Sequence, residues 1–186
     1  DDPSKAARAN QENAVGEICR YLGYYERAIA HYSRSFTLNQ EFNSIELALP
    51  IYNMAMVRFE QGRFGDSFEL MEQARSWPNR GSKLMQLAFD IGYLSAGLCA
   101  GRDFDSRLFE DCLSELAKGP WADRDLMILV EPSIDCAIAT GDIDLAKRLW
   151  DILKNQARLL KRVDYAPILA QLTAKLGTYR SIIESP

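Results

Sequence analysis

The sequence predicts an all-α fold, a solenoid of about four and a half antiparallel helix pairs. Three observations carry that expectation. Gly23, Gly62, Gly101 and Gly141 recur at intervals of 39, 39 and 40 residues, and Gly177 follows 36 later. Each glycine ends one amphipathic pattern of helical period and precedes another. The flanking residues recur in phase with the glycines. Tyr25, Phe64, Ile143 and Tyr179 stand two positions on; Ala28, Ser67, Ser106 and Ala146 five on; Tyr32, Met71 and Trp150 nine on; Ser35, Ala74, Leu113 and Leu153 twelve on. The third unit carries Asp103 and Glu110 in two of these columns, and the adjacent Phe104 and Phe109 point to a one-residue slip there.

A helical hairpin explains the columns. Glycine ends the first helix because it adopts the left-handed backbone that closes a helix without steric cost. The aromatic that follows begins the buried stripe of the second helix. The small residue lets the paired helices approach, and the large one a turn later fills the space where they diverge.

In chain order, residues 5–22 and 25–38 form the first pair and 44–61 and 64–76 the second, which Trp77-Pro78-Asn79-Arg80-Gly81 terminates. Residues 83–100 and 104–117 form the third, stopped by Lys118-Gly119-Pro120. Residues 123–140 and 143–160 form the fourth, and 163–176 with 179–184 an incomplete fifth. The units run approximately 5–40, 44–78, 83–118, 123–160 and 163–186 within one repeat domain. Pro50, Pro132 and Pro167 fall in three of the first helices, where each kinks its helix or marks its true start. If Pro132 is a first-turn residue, 123–130 becomes a separate short helix.

Composition narrows the function classes. The chain has 186 residues, 47% of them hydrophobic and 26% charged, enough to bury a core. A net charge of −4 argues against a general nucleic-acid binder. The longest aliphatic run, Leu126 to Val130, is far short of the roughly 18–20 residues of a membrane span. Cys19, Cys99, Cys112 and Cys136 are widely spaced with no Cys-x-x-Cys pair, which predicts free thiols in the cytoplasm and neither disulfides nor zinc. The single histidine, His31, reads as a half-exposed surface residue. Asp142 and Asp144 open a helix and complement its positive end. No nucleophile elbow, phosphate loop or paired-histidine motif occurs, so neither an enzyme nor a cofactor is expected. The absent initiator Met and the unfinished fifth unit predict a segment of a longer protein.

These features resemble the tetratricopeptide repeat. Gly16, Gly23, Tyr25, Ala28, Tyr32 and Ser35 carry its pattern in the first unit. Ala55, Gly62, Phe64, Ser67, Met71, Ala74 and Pro78 carry it in the second, and Gly141, Ile143, Ala146, Trp150 and Leu153 in the fourth. The family's usual period is about 34 residues; the longer one here implies longer helices and connections. The resemblance implies a right-handed superhelix and a scaffold binding a protein or peptide segment in its concave groove. It points to the regulatory part of a larger signalling or transcription-regulating protein. Chaperone-binding members clamp a carboxylate with basic residues. Asn53 matches one asparagine of that clamp, but the basic positions are Asn13, Ala88 and Gly92, so the clamp is not carried over.

The groove positions expected from the repeat phase are Asn13, Arg20, Tyr21, Tyr52, Asn53, Met56 and Phe59, with the aromatics and Met as apolar anchors. A second docking patch is Lys147, Arg148, Lys154, Arg158, Lys161 and Arg162, which with Asp151 gives residues 147–162 a charge of +5. The alternative function is self-association through repeat ends or outer faces. Tyr165, Ile168, Leu169 and Leu172 are expected to need cover from a second copy, further chain or an adjoining domain.

Overall fold

In the computed structural model four of the five periodic glycines close a helix with the same turn, and Gly177 is the exception, ending residues 170–177 without a left-handed φ. Gly23, Gly62, Gly101 and Gly141 have φ of 76°, 72°, 62° and 83°. At Gly23 the amide donates to the Arg20 carbonyl and the next amide, Tyr24, donates to Cys19. The same pair of bonds recurs from Gly62 and Arg63 to Phe59 and Arg58, from Gly101 and Arg102 to Leu98 and Gly97, and from Gly141 and Asp142 to Ile138 and Ala137. This is the Schellman closure, which satisfies carbonyls that a helix end otherwise leaves unpaired.

The structure describes residues 3–41, 47–77, 82–103, 105–118, 124–159 and 170–177. Among them every regular element is a helix: α1 (Pro3–Tyr21), α2 (Tyr25–Glu41), α3 (Ala48–Glu60), α4 (Phe64–Ser76), α5 (Lys83–Ala100), α6 (Ser106–Lys118), α7 (Arg124–Ala139) and α8 (Ile143–Leu159). Residues 170–177 are also helical. The chain is thus an all-α array of helical hairpins, in two compact units, residues 1–96 and 97–186, whose boundary lies within α5.

In the first unit α1 packs along α2, α2 along α3 and α3 along α4. Ala28 and Tyr32 of α2 and Val57 of α3 form a fully buried knot, with Cys19, Tyr25, Ile29 and Met54 against it. Gly16 of α1 lies so close to Tyr32 that an added Cβ would meet the ring at 2.6 Å. Gly92 of α5 faces the Met71 side chain in the same way. A small residue on a first helix thus receives the large residue of a second helix. Ser67, another small-column residue, is buried and donates from Oγ to the Ala55 carbonyl at 2.9 Å. Tyr52 and Phe89 meet at 4.9 Å, and Phe68 stacks on Tyr93 at 4.7 Å.

In the second unit α7 pairs with α8, and α6 also touches α8. Asp142 receives the Leu145 amide on Oδ1 at 3.0 Å and so caps α8, its expected role. Asp105 caps α6 likewise, accepting from Arg107 and Leu108. Helix α6 starts at Ser106, five residues after Gly101, where the other second helices start two after their glycine. Phe109 is buried and Glu110 exposed, so the large position of this unit is shifted by one residue. Ala146 is fully buried.

The prolines separate. Pro50 is the third residue of α3, within the first turn, where its missing N–H costs no bond. Pro132 lies inside α7, which runs unbroken from Arg124 to Ala139, so 123–130 is not a separate helix. Pro167 lies outside the described residues, as do Tyr165, Ile168, Leu169 and the expected helix 179–184. Leu172, expected to want cover, is buried.

Candidate functional site

Helix α1 has two faces of opposite character. Ala9, Gly16 and Arg20 are buried, with Asn13 and Glu17 half-buried between them. Ala7, Gln11, Ala14, Ile18, Tyr21 and Leu22 are exposed on the other side.

The inner face carries a polar ladder to α3. Asn53 Nδ2 donates to Asn13 Oδ1 at 2.9 Å. Arg20 is 1% exposed, and its guanidinium lies 3.5 Å from Glu17 and 3.3 Å from Glu60. Two half-buried carboxylates thus flank one buried cation, which offsets the cost of taking that charge out of water. Tyr32 donates to Glu17 at 2.6 Å, and Tyr25 donates to Glu60 at 3.5 Å. Burial, and then the Glu60 carboxylate, push the Tyr25 hydroxyl above its usual pKa.

The outer edge is apolar. Ile18, Tyr21, Leu22 and Tyr24 are 58%, 49%, 63% and 54% exposed. Among the described residues they are the exposed large hydrophobics, and all four fall within seven residues at the end of α1 and its turn. Ile18, Tyr21 and Leu22 share one face by their spacing of three and four. Tyr24 follows the turn glycine. Two arginines back the tyrosines: Arg20 lies 5.3 Å from the Tyr21 ring centre and Arg27 5.5 Å from that of Tyr24.

The expected groove residues therefore divide. Tyr52, Asn53, Met56 and Phe59 are buried in the first unit, and Arg20 is buried in the ion-pair network. None of these five presents a free side chain to a partner, which corrects their reading as contacts. Asn13 is half-buried and engaged by Asn53, while Tyr21 is exposed. The cause lies in α3, where nine of thirteen residues are buried. An apolar stripe cannot mark the groove side of a helix that is covered nearly all round. Ile18, Leu22 and Tyr24 were not among the expected contacts. Their signal is three large apolar residues crowded at the end of the otherwise polar α1.

The basic patch is less free than its composition implies. Arg148 holds Glu110 with two bonds, 2.8 and 2.7 Å long, which keep the Glu110 carboxyl below its usual pKa. Lys147 lies 3.7 Å from Asp144, Lys154 sits 4.8 Å from the Trp150 ring centre, and Arg158 donates to Asn155. Lys161 and Arg162 lie outside the described residues.

His31 is half-buried on α2, its Nδ1 2.7 Å from Glu12 Oε2. That hydrogen bond, partly opposed by burial, holds the Glu12 carboxyl below its usual pKa. Arg34 lies 3.5 Å from the same oxygen. Glu12 and Arg34, with Arg8, Ser33, Thr37 and Leu38, line a shallow cleft of about 340 Å³ between α1 and α2.

No helix among the described residues is long and apolar enough to cross a membrane. Set against known proteins, the chain matches no family model, no curated protein and no solved structure.

Proposed function

We propose that the chain is a protein-interaction scaffold of the tetratricopeptide type. It engages a protein or peptide segment through the edge formed by Ile18, Tyr21, Leu22 and Tyr24. The observation that carries the reading is the exposure of these four side chains together. Scattered surface apolar residues need no explanation, but a cluster of large ones is costly in water and marks a surface that is covered in use. The rigid ladder beneath, from Asn13 to Glu60, holds the edge without having to reorganise on binding.

Family membership is supported by the repeated glycine closure and by the Gly16–Tyr32 and Gly92–Met71 contacts. Four cysteines without a disulfide fit a cytoplasmic regulatory segment of a signalling protein. Self-association is the second reading, favoured because Ile18 and Leu22 lie on the open side of the first helix.

The test compares affinity capture by the wild-type chain and by an Ile18→Ser/Leu22→Ser variant. The variant is expected to lose the captured protein at an unchanged melting temperature, since neither side chain is buried. Capture that survives both substitutions contradicts the assignment. Sedimentation across a concentration series identifies a second copy as the occupant if the wild type dimerises and the variant does not.

A further inference from the structure

Three columns of the repeat behave differently on α1 than on the two first helices that follow. The positions twelve, nine and five residues before the turn glycine are Gln11, Ala14 and Ile18 on α1, Pro50, Asn53 and Val57 on α3, and Phe89, Gly92 and Ala96 on α5. On α3 and α5 all six are buried; on α1 all three are exposed. All nine residues belong to the first unit.

On α3 and α5 the cover comes from the preceding pair. Val57 packs in the knot with Ala28 and Tyr32 of α2, and Asn53 receives Asn13 of α1. Phe89 meets Tyr52 of α3, and Gly92 lies against Met71 of α4. Spacings of three and four put Gln11, Ala14 and Ile18 on one face of α1, continuous with the exposed Tyr21 and Leu22. Helix α1 thus carries, one period earlier, the face on which α3 and α5 receive their predecessors.

We propose that this face takes an amphipathic helix of a partner protein, laid along α1 as α2 is laid along α3. The proposal rests on the docking edge assigned above and names the kind of segment that fills it. The interface already formed between successive pairs, continued onto α1, sets the chemistry of that helix. Helices α2 and α4 present a small residue followed four positions later by a large one, Ala28 with Tyr32 and Ser67 with Met71. The partner helix does the same, because Ala14 is a small residue in the column where Gly92 makes room for Met71. Gln11, Ala14, Ile18, Tyr21 and Leu22 carry no charge, so the stripe that meets them is uncharged too; a charge buried there would lack a partner. The backbone amides and carbonyls of α1 are spent within the helix. An extended segment would find no ladder to pair with, whereas a helix brings its own backbone bonds.

The probe is a fluorescein-labelled peptide of residues 24–41, the α2 sequence, stapled between positions 30 and 34, both exposed in the folded chain. Its anisotropy is titrated with the full chain, wild type and Ala14→Arg. That substitution is at an exposed position and leaves Ile18, Tyr21, Leu22 and Tyr24 in place. The expected result is saturable binding to the wild type, weakened at least about tenfold by Ala14→Arg, and none for an Ala28→Glu/Tyr32→Glu peptide. Should Ala14→Arg lower the melting temperature, Gln11→Arg, also exposed, replaces it. No saturable binding to the wild type, or equal binding to the variant, would overturn the proposal. The docking edge is judged separately: affinity capture lost with Ile18→Ser/Leu22→Ser but kept with Ala14→Arg retains the edge and overturns the helix. A wild-type dimer in sedimentation that Ala14→Arg dissociates gives the face to a second copy and overturns the partner helix as well.

Discussion

Asn53 donates to Asn13 across 40 residues of sequence, so adjacent positions in the repeat phase, ten residues before Gly23 and nine before Gly62, are joined side chain to side chain on two first helices. Arg20 reaches Glu60 over 40 residues, Glu110 reaches Arg148 over 38, and Asp135 reaches Lys175 over 40. These separations lie close to the glycine period without equalling it, so neighbouring pairs are joined at positions one to four residues apart in phase. Asn13→Ala leaves the Asn53 amide, 4% exposed, without that acceptor and should cost about 1–3 kcal/mol. Adding Asn53→Leu should cost less than the sum of the single changes. A double-mutant cycle by urea unfolding measures the coupling, and additive costs would show there is none.

Gly16→Ala should destabilise although alanine favours helix. The new carbon meets the Tyr32 ring at 2.6 and 2.7 Å, and that ring is buried and tied to Glu17. Overpacking of this kind costs about 1–3 kcal/mol. Ala146→Leu, at an equally buried position of α8, should cost about as much for the same reason. Gly65→Ala, where nothing lies within 4 Å, should cost nothing. Thermal melts of the three variants check the set, and a Gly16→Ala protein as stable as wild type would mean the two helices are not in close contact.

Two carboxylates should shift stability with pH in opposite directions. Glu12 is lowered in the folded chain by His31, so its contribution is full above its unfolded pKa, near 4.5, and is lost as pH falls through the folded value. Glu131 is raised by burial and then by Asp135. Its contribution is present below the unfolded pKa and is lost as pH rises through the folded one. Glu131→Gln should therefore raise the urea midpoint at pH 7 relative to wild type, with the gain vanishing near pH 4. His31→Ala should make the acid-side decline shallower. Parallel pH profiles for wild type and both variants would contradict these assignments.

The helices were legible because each is bracketed by a glycine whose left-handed backbone the sequence announces, and because small and large columns repeat beside it. Even the slip at Phe109 could be read from its neighbour Glu110, since a charge does not fit the buried column. Which side of α3 is open was not legible. Tyr52, Met56 and Phe59 look like anchors in a helical stripe, but Ile51, Ala55 and Val57 are as apolar and as buried, and no contrast remains to orient the helix. Asn53 misled for another reason: a polar residue in an apolar helix looks solvent-facing until its partner Asn13, 40 residues away, is placed beside it.

The docking edge is tested most directly by placing a photo-reactive benzophenone amino acid at Leu22 in one protein and at Lys147 in another. Both positions are exposed, so neither replacement disturbs a core. The two proteins are irradiated in cell extract and their adducts compared. The expected result is a discrete protein adduct from position 22 that disappears when Ile18 and Tyr24 are changed to Ser, and no such adduct from position 147. An adduct from position 147 alone would contradict the edge on α1 and transfer the docking site to the basic helix α8.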